Sequence, residues 1–62
     1  MNRIQIQFIK DALDQEHKLS EWESEFINDL ADKDEEYKKK GVDLTLSSKQ
    51  NEILNRISQK LD

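Results

Sequence analysis

The chain gives its backbone almost nowhere to break: it has no proline and a single glycine, Gly41. Proline deletes a helix hydrogen bond and clashes with the preceding turn, and an interior glycine costs roughly 1 kcal/mol, so long helices go unopposed here. Gly41 follows Lys38, Lys39 and Lys40, where a residue that tolerates positive φ commonly ends a helix. Everything from Ser20 to Gly41 therefore reads as one element.

That element opens on Ser20 and Glu23, spaced as a capping box in which each side chain takes up a free backbone N–H. Glu21, Glu23 and Glu25 crowd its first turns and the three lysines its last, and both biases complement the helix macrodipole. Asp34/Lys38, Glu35/Lys39 and Glu36/Lys40 are i,i+4 pairs in the favourable order. The spacing predicts a helix over about 20–40. Ser47 and Gln50 repeat the box, Glu52/Arg56 repeats the pair, and Ile53, Leu54, Ile57 and Leu61 form one apolar stripe. A further helix is predicted over about 48–60.

The first segment reads two ways. Ile6, Ile9 and Leu13, widened by Phe8 and Ala12, fit a helix over about 5–16, and Lys10 to Glu16 continue in strong helix formers. Ile4, Ile6 and Phe8 also alternate with polar residues, as do Val42, Leu44 and Leu46. The alternative is an α+β chain with a two-stranded ribbon from residues 3–8 and 42–46, although an isolated pair of strands is marginal in water. The favoured fold class is all-α, a three-helix bundle forming one domain over residues 1–62. A tight turn around His17, Lys18 and Leu19 and a loop from Gly41 to Leu46 join the helices. Leu19, Trp22, Phe26, Leu30 and Tyr37 share a face of the middle helix, so Trp22 and Phe26 are expected as the largest pieces of core.

Size limits what such a bundle can do. A chain of 62 residues buries only about 60% of the surface its unfolded form exposes. Charged residues are 39% and apolar ones 34%, with a mean hydropathy of -1.00, so a partner or self-association is a natural source of added stability. Periodic clustering of the apolar residues speaks for a folded state over disorder. Without cysteine there are no disulfides, thiolate metal sites or thiol nucleophiles. His17, the sole histidine, lies three residues after Asp14 and reads as a solvated turn residue, with no further ligands at a distinctive spacing. Asp32 to Glu36 echo the alternating acids of a calcium loop, but Tyr37 stands where its glycine belongs. No metal, cofactor or catalytic residue is expected, and the chain is read as non-enzymatic. No stretch reaches the roughly 20 apolar residues of a membrane span, and the start lacks a signal peptide's apolar run, which predicts a cytoplasmic protein.

Charge is unevenly spread. Residues 1–32 carry three basic and eight acidic side chains, and residues 33–62 carry seven and six, within a net charge of -4. Lys49, Arg56 and Lys60 can line one face of the last helix, an alternative nucleic-acid surface, with Glu52 close by. Trp22, Ile27 and Tyr37 are the apolar candidates for a partner contact, Ile27 because it falls off the main stripe. Glu21, Glu23 and Glu25 are the candidates for steering toward a basic partner. A homodimer sealed in part by Leu44 and Leu46 is a further possibility, with packing under the helices as their other use.

From Leu19 to Ile57 the chain runs Leu-Ser-Glu-Trp-Glu-x-x-Phe-Ile, a charged stretch and Gly41, then Leu46-Ser47-x-Lys49-Gln50-x-x-x-Leu54-x-x-Ile57. This pattern resembles a small helical segment of bacteriophage and mobile-element proteins associated with replication or recombination. It covers about two-thirds of the chain and contains no catalytic residue to carry over. The resemblance implies an accessory or regulatory protein of a bacterial host's cytoplasm, acting by protein–protein binding on a replication or recombination enzyme.

Overall fold

The computed structural model describes residues 1–61. Three α-helices follow one another, α1 (Arg3–Asp14), α2 (Glu21–Lys39) and α3 (Ser48–Ser58), with a short 3-10 turn at Glu16–Lys18 between the first two. The chain is all-α: no strand occurs among the described residues, and the ribbon of residues 3–8 with 42–46 does not form. Its first half is committed to helix by a capping box at Asn2. The Asn2 side chain accepts from the Gln5 N–H at 2.8 Å while the Gln5 side chain accepts from the Asn2 N–H at 3.0 Å. Residues 42–46 form an irregular segment tied to that end by the Met1 ammonium, which donates to the Leu44 carbonyl.

The other two boxes form where the spacing places them. Ser20 and Glu23 exchange hydrogen bonds of 3.2 and 2.9 Å, as do Ser47 and Gln50. At the far end of α2, Gly41 takes φ +72°. The Gly41 N–H then reaches the Lys38 carbonyl and the Val42 N–H the Tyr37 carbonyl, both at 3.0 Å. These two bonds make a Schellman motif, which satisfies carbonyls the helix would leave open. α1 begins and ends about two residues earlier than the apolar spacing suggests, because Asn2 caps it and the 3-10 turn takes over after Gln15.

Three cross-links show the directions of the helices. Gln5 of α1 donates to Asn51 of α3 at 3.0 Å, Asn28 of α2 donates to Glu16 after α1 at 3.2 Å, and Lys60 after α3 meets Glu23 of α2. The bundle thus runs up, down, up, with an extent of 32 × 19 × 19 Å. α1 packs closely on both neighbours, whereas the backbones of α2 and α3 approach one another less.

Each helix gives two side chains to the centre: Ile9 and Ala12, Ile27 and Leu30, Leu54 and Ile57. Leu44 is buried as well, and Leu46 packs against the cluster, the use under the helices that their spacing allowed. The middle helix departs from its expected orientation. Trp22 is 58% exposed and Ile27 fully buried, so Ile27 occupies the core and Trp22, expected there, stands in water. Geometry supplies the reason. At 100° per residue Trp22 stands about 80° from Leu30 and about 140° from Ile27 around α2, outside the arc that those two buried residues define. Leu19 and Phe26, closer to Leu30 around the helix, still pack against the core, while Trp22 turns out into water.

Candidate functional site

α2 carries the chemistry that the sequence singles out. Glu21, Glu25, Asp29, Asp32 and Glu36 are all exposed and follow one another at helical intervals of four, four, three and four. At 100° per residue these positions form a single acidic stripe along the solvent side of α2, and Trp22 lies at its edge near the helix start. Asp29 is paired with Lys33 at 3.1 Å and Glu36 with Lys40 at 3.9 Å. Glu21, Glu25 and Asp32 have no ionic partner among the described residues.

Phe26 backs the indole. Its ring stacks on that of Trp22 with centroids 5.8 Å apart and planes 14° from parallel, an i,i+4 aromatic pair. Phe26 is half-buried and rests on the core, so the exposed Trp22 is mounted on a packed support.

Glu23 points elsewhere. Besides accepting from the Ser20 N–H at 2.9 Å, its carboxylate receives the Lys60 ammonium on both oxygens, at 2.8 and 2.7 Å. The Lys60 bond, aided by the Ser20 backbone, holds the Glu23 carboxyl below its ordinary range. This is the opposite direction from what a general acid at neutral pH needs. Glu23 is a structural tie between the start of α2 and the end of α3, and it leaves the group of steering acids. Ile27, buried in the core, leaves the group of partner contacts. Tyr37 is half-buried, with the Lys40 ammonium 6.0 Å from its ring centre. Fifteen residues of helix separate it from Trp22, about 22 Å, too far for one compact contact. The structure therefore brings Trp22, Glu21 and Glu25 together and sets Ile27, Glu23 and Tyr37 apart from them.

The α3 cations fare differently. Lys60 is engaged by Glu23, and the Arg56 guanidinium donates to Glu52 at 2.9 Å. Lys49 alone of the three is exposed without an ionic partner among the described residues. A face that contacts phosphates normally carries several unopposed cations.

Two of the open concavities on the surface border α1. One of about 330 Å3 lies between the start of α1 and residues 43–46, with Asn2, Gln5, Asp43 and Thr45 among its polar walls. The other, about 150 Å3, runs between α1 and α2 and is lined by Ile6, Ile9, Leu13 and Ala31 with Lys10 and Lys38 at its edge. No group of three His, Cys, Asp or Glu side chains able to hold a metal occurs among the described residues, and no helix among them is long and apolar enough to cross a membrane.

Sequence reasoning missed two features, and both had a signal. Asn2 and Gln5 stand at capping-box spacing, and the acidic stripe is legible once α2 is wound at 100° per residue. The chain matches no family model, no curated protein and no solved structure.

Proposed function

We propose that this protein is a small accessory or regulatory binding protein whose working surface is the outer face of α2 at its N-terminal end. One observation carries the reading: the chain's only tryptophan is 58% exposed on a packed aromatic support, flanked by Glu21 and Glu25. Tryptophan is the residue type most enriched at interface hot spots, and an apolar anchor ringed by one sign of charge selects an oppositely charged partner. The partner is a protein with a basic surface. The phage-type setting follows from the resemblance over Leu19–Ile57, and it makes a replication or recombination enzyme, whose nucleic-acid site is itself basic, the first class to examine. Binding occludes or remodels that surface. No step of chemistry is assigned to this chain.

The test places a photoreactive phenylalanine analogue in place of Trp22, and in place of Gln7 on α1 as a control, in bacterial cells. A discrete cross-linked protein is expected from position 22 only, and it should disappear when Glu21 and Glu25 become Gln. Equal products from both positions, products unaffected by the Gln changes, or cross-links only between copies of this chain would overturn the reading.

A further inference from the structure

The stacked Trp22–Phe26 pair and the carboxylates beside it say more about the partner than its sign of charge. We infer that Trp22 receives an arginine side chain, whose guanidinium lies on the indole and reaches Glu21 or Glu25. This rests on the reading of α2 as the binding face and specifies its occupant.

The argument begins with the ring. A cation is drawn to the face of an aromatic ring when it sits within about 6 Å of the centroid, and tryptophan is the strongest of the three receptors. Phe26 takes one side of the indole, and with 58% of Trp22 in water ring surface remains for a second planar group. Glu25 stands three residues on from Trp22, so their Cβ atoms lie about 5–6 Å apart, and Glu21 is its chain neighbour. Both carboxylates are exposed and unpaired among the described residues, while Lys33 and Lys40, further along the helix, are taken up by Asp29 and Glu36. A cation brought by a partner therefore meets no internal competitor at Glu21 or Glu25.

Arginine fits this arrangement better than lysine does. Its guanidinium is flat, is weakly hydrated and keeps its N–H groups in its own plane, so it can stack on an indole and donate sideways to a carboxylate at once. A lysine ammonium is a compact, strongly hydrated charge and has no plane to stack. Further along α2, Asp32 extends the same stripe, so the occupant is a basic segment with an arginine at its anchoring position.

The experiment uses the whole chain and two short blocked peptides of identical length, one with arginines separated by glycines and one with lysines in their place. Binding is followed at low salt by Trp22 emission and by calorimetry. The arginine peptide should bind at least about threefold more tightly, the size of an exposed cation–π contact, and should change Trp22 emission where the lysine peptide does not. Trp22→Ala should erase the preference and Trp22→Phe should reduce it, with far-UV circular dichroism confirming that each variant folds. Glu21→Gln with Glu25→Gln should weaken both peptides and flatten the salt dependence. Equal affinities without an emission change would overturn the arginine assignment while leaving α2 an acidic binding face. Binding of neither peptide would overturn both. An emission shift with protein concentration alone would overturn the inference too, since a second copy would then cover the ring.

Discussion

Replacing Ile27 by alanine should destabilise the protein more than replacing the far larger Trp22. Ile27 is fully buried among residues from all three helices, and an Ile→Ala change in such a place costs roughly 2–5 kcal/mol, with a mid-range of about 3.5. Trp22 exposes 58% of its surface. If a fully buried tryptophan removes up to about 250 Å2 from water, roughly two-fifths of that is about 100 Å2, or at most about 2.5 kcal/mol at 25 cal/mol per Å2. An unfolded chain already buries part of that area, and alanine is the better helix former, which together bring the cost to about 1.5 kcal/mol. Marginal stability makes the contrast visible. A domain of this size is worth about 3–9 kcal/mol in total, so Ile27→Ala removes a third of it or more. The assay is urea unfolding followed by far-UV circular dichroism, which needs no tryptophan. A Trp22→Ala variant less stable than Ile27→Ala would refute the orientation of α2 and, with it, the exposed anchor.

Three further outcomes follow from the geometry. Glu23 has its carboxyl held below the ordinary range by Lys60 and Ser20, so the tie stabilises the fold above a pH of about 4.5 and is lost as pH falls through the lowered value. Glu23→Gln keeps the cap but should flatten this acid limb in unfolding curves recorded between neutral and strongly acidic pH. Gly41→Ala meets nothing within 4 Å and still adopts φ +72°, so backbone strain alone should cost about 1 kcal/mol in urea unfolding, net of the gain from a stiffer unfolded chain. With Lys60 and Arg56 taken up by Glu23 and Glu52, fluorescence anisotropy should show no binding of duplex DNA at about 0.15 M salt. Salt-sensitive binding abolished by Lys49→Ala and Arg56→Ala would return α3 to consideration.

The helices and two of their three caps were legible because they rest on local chemistry: Ser20 with Glu23, Ser47 with Gln50, and Gly41 at the only position able to turn the chain left-handed without strain. The i,i+4 pairs Asp34/Lys38, Glu36/Lys40 and Glu52/Arg56 close as their spacing suggests, at 3.7, 3.9 and 2.9 Å. The rotation of α2 was not legible. Leu19, Trp22, Phe26, Leu30 and Tyr37 make the richer apolar stripe, and Leu19, Phe26 and Leu30 do meet the core, but the buried face is turned far enough to take in Ile27 and leave Trp22 out. How far that face turns is set by the packing of α1 and α3 against α2, and nothing in the local pattern of α2 encodes that. That rotation exposes Trp22, so the candidate site is a product of tertiary packing that the local pattern leaves open.

The position of α1 between its two neighbours also bears on the order in which the chain assembles. α1 and α2 are adjacent in sequence, and a short connection closes their contact at little entropic cost. α3 reaches α1 only across the whole of α2, as in the contact from Gln5 to Asn51, 46 residues apart. The α1–α2 hairpin is therefore the natural early unit, and α3 is the element that arrives last and departs first. Amides of α3 should exchange with solvent ahead of those in the hairpin, an opening that the Lys60–Glu23 tie between the end of α3 and the start of α2 opposes.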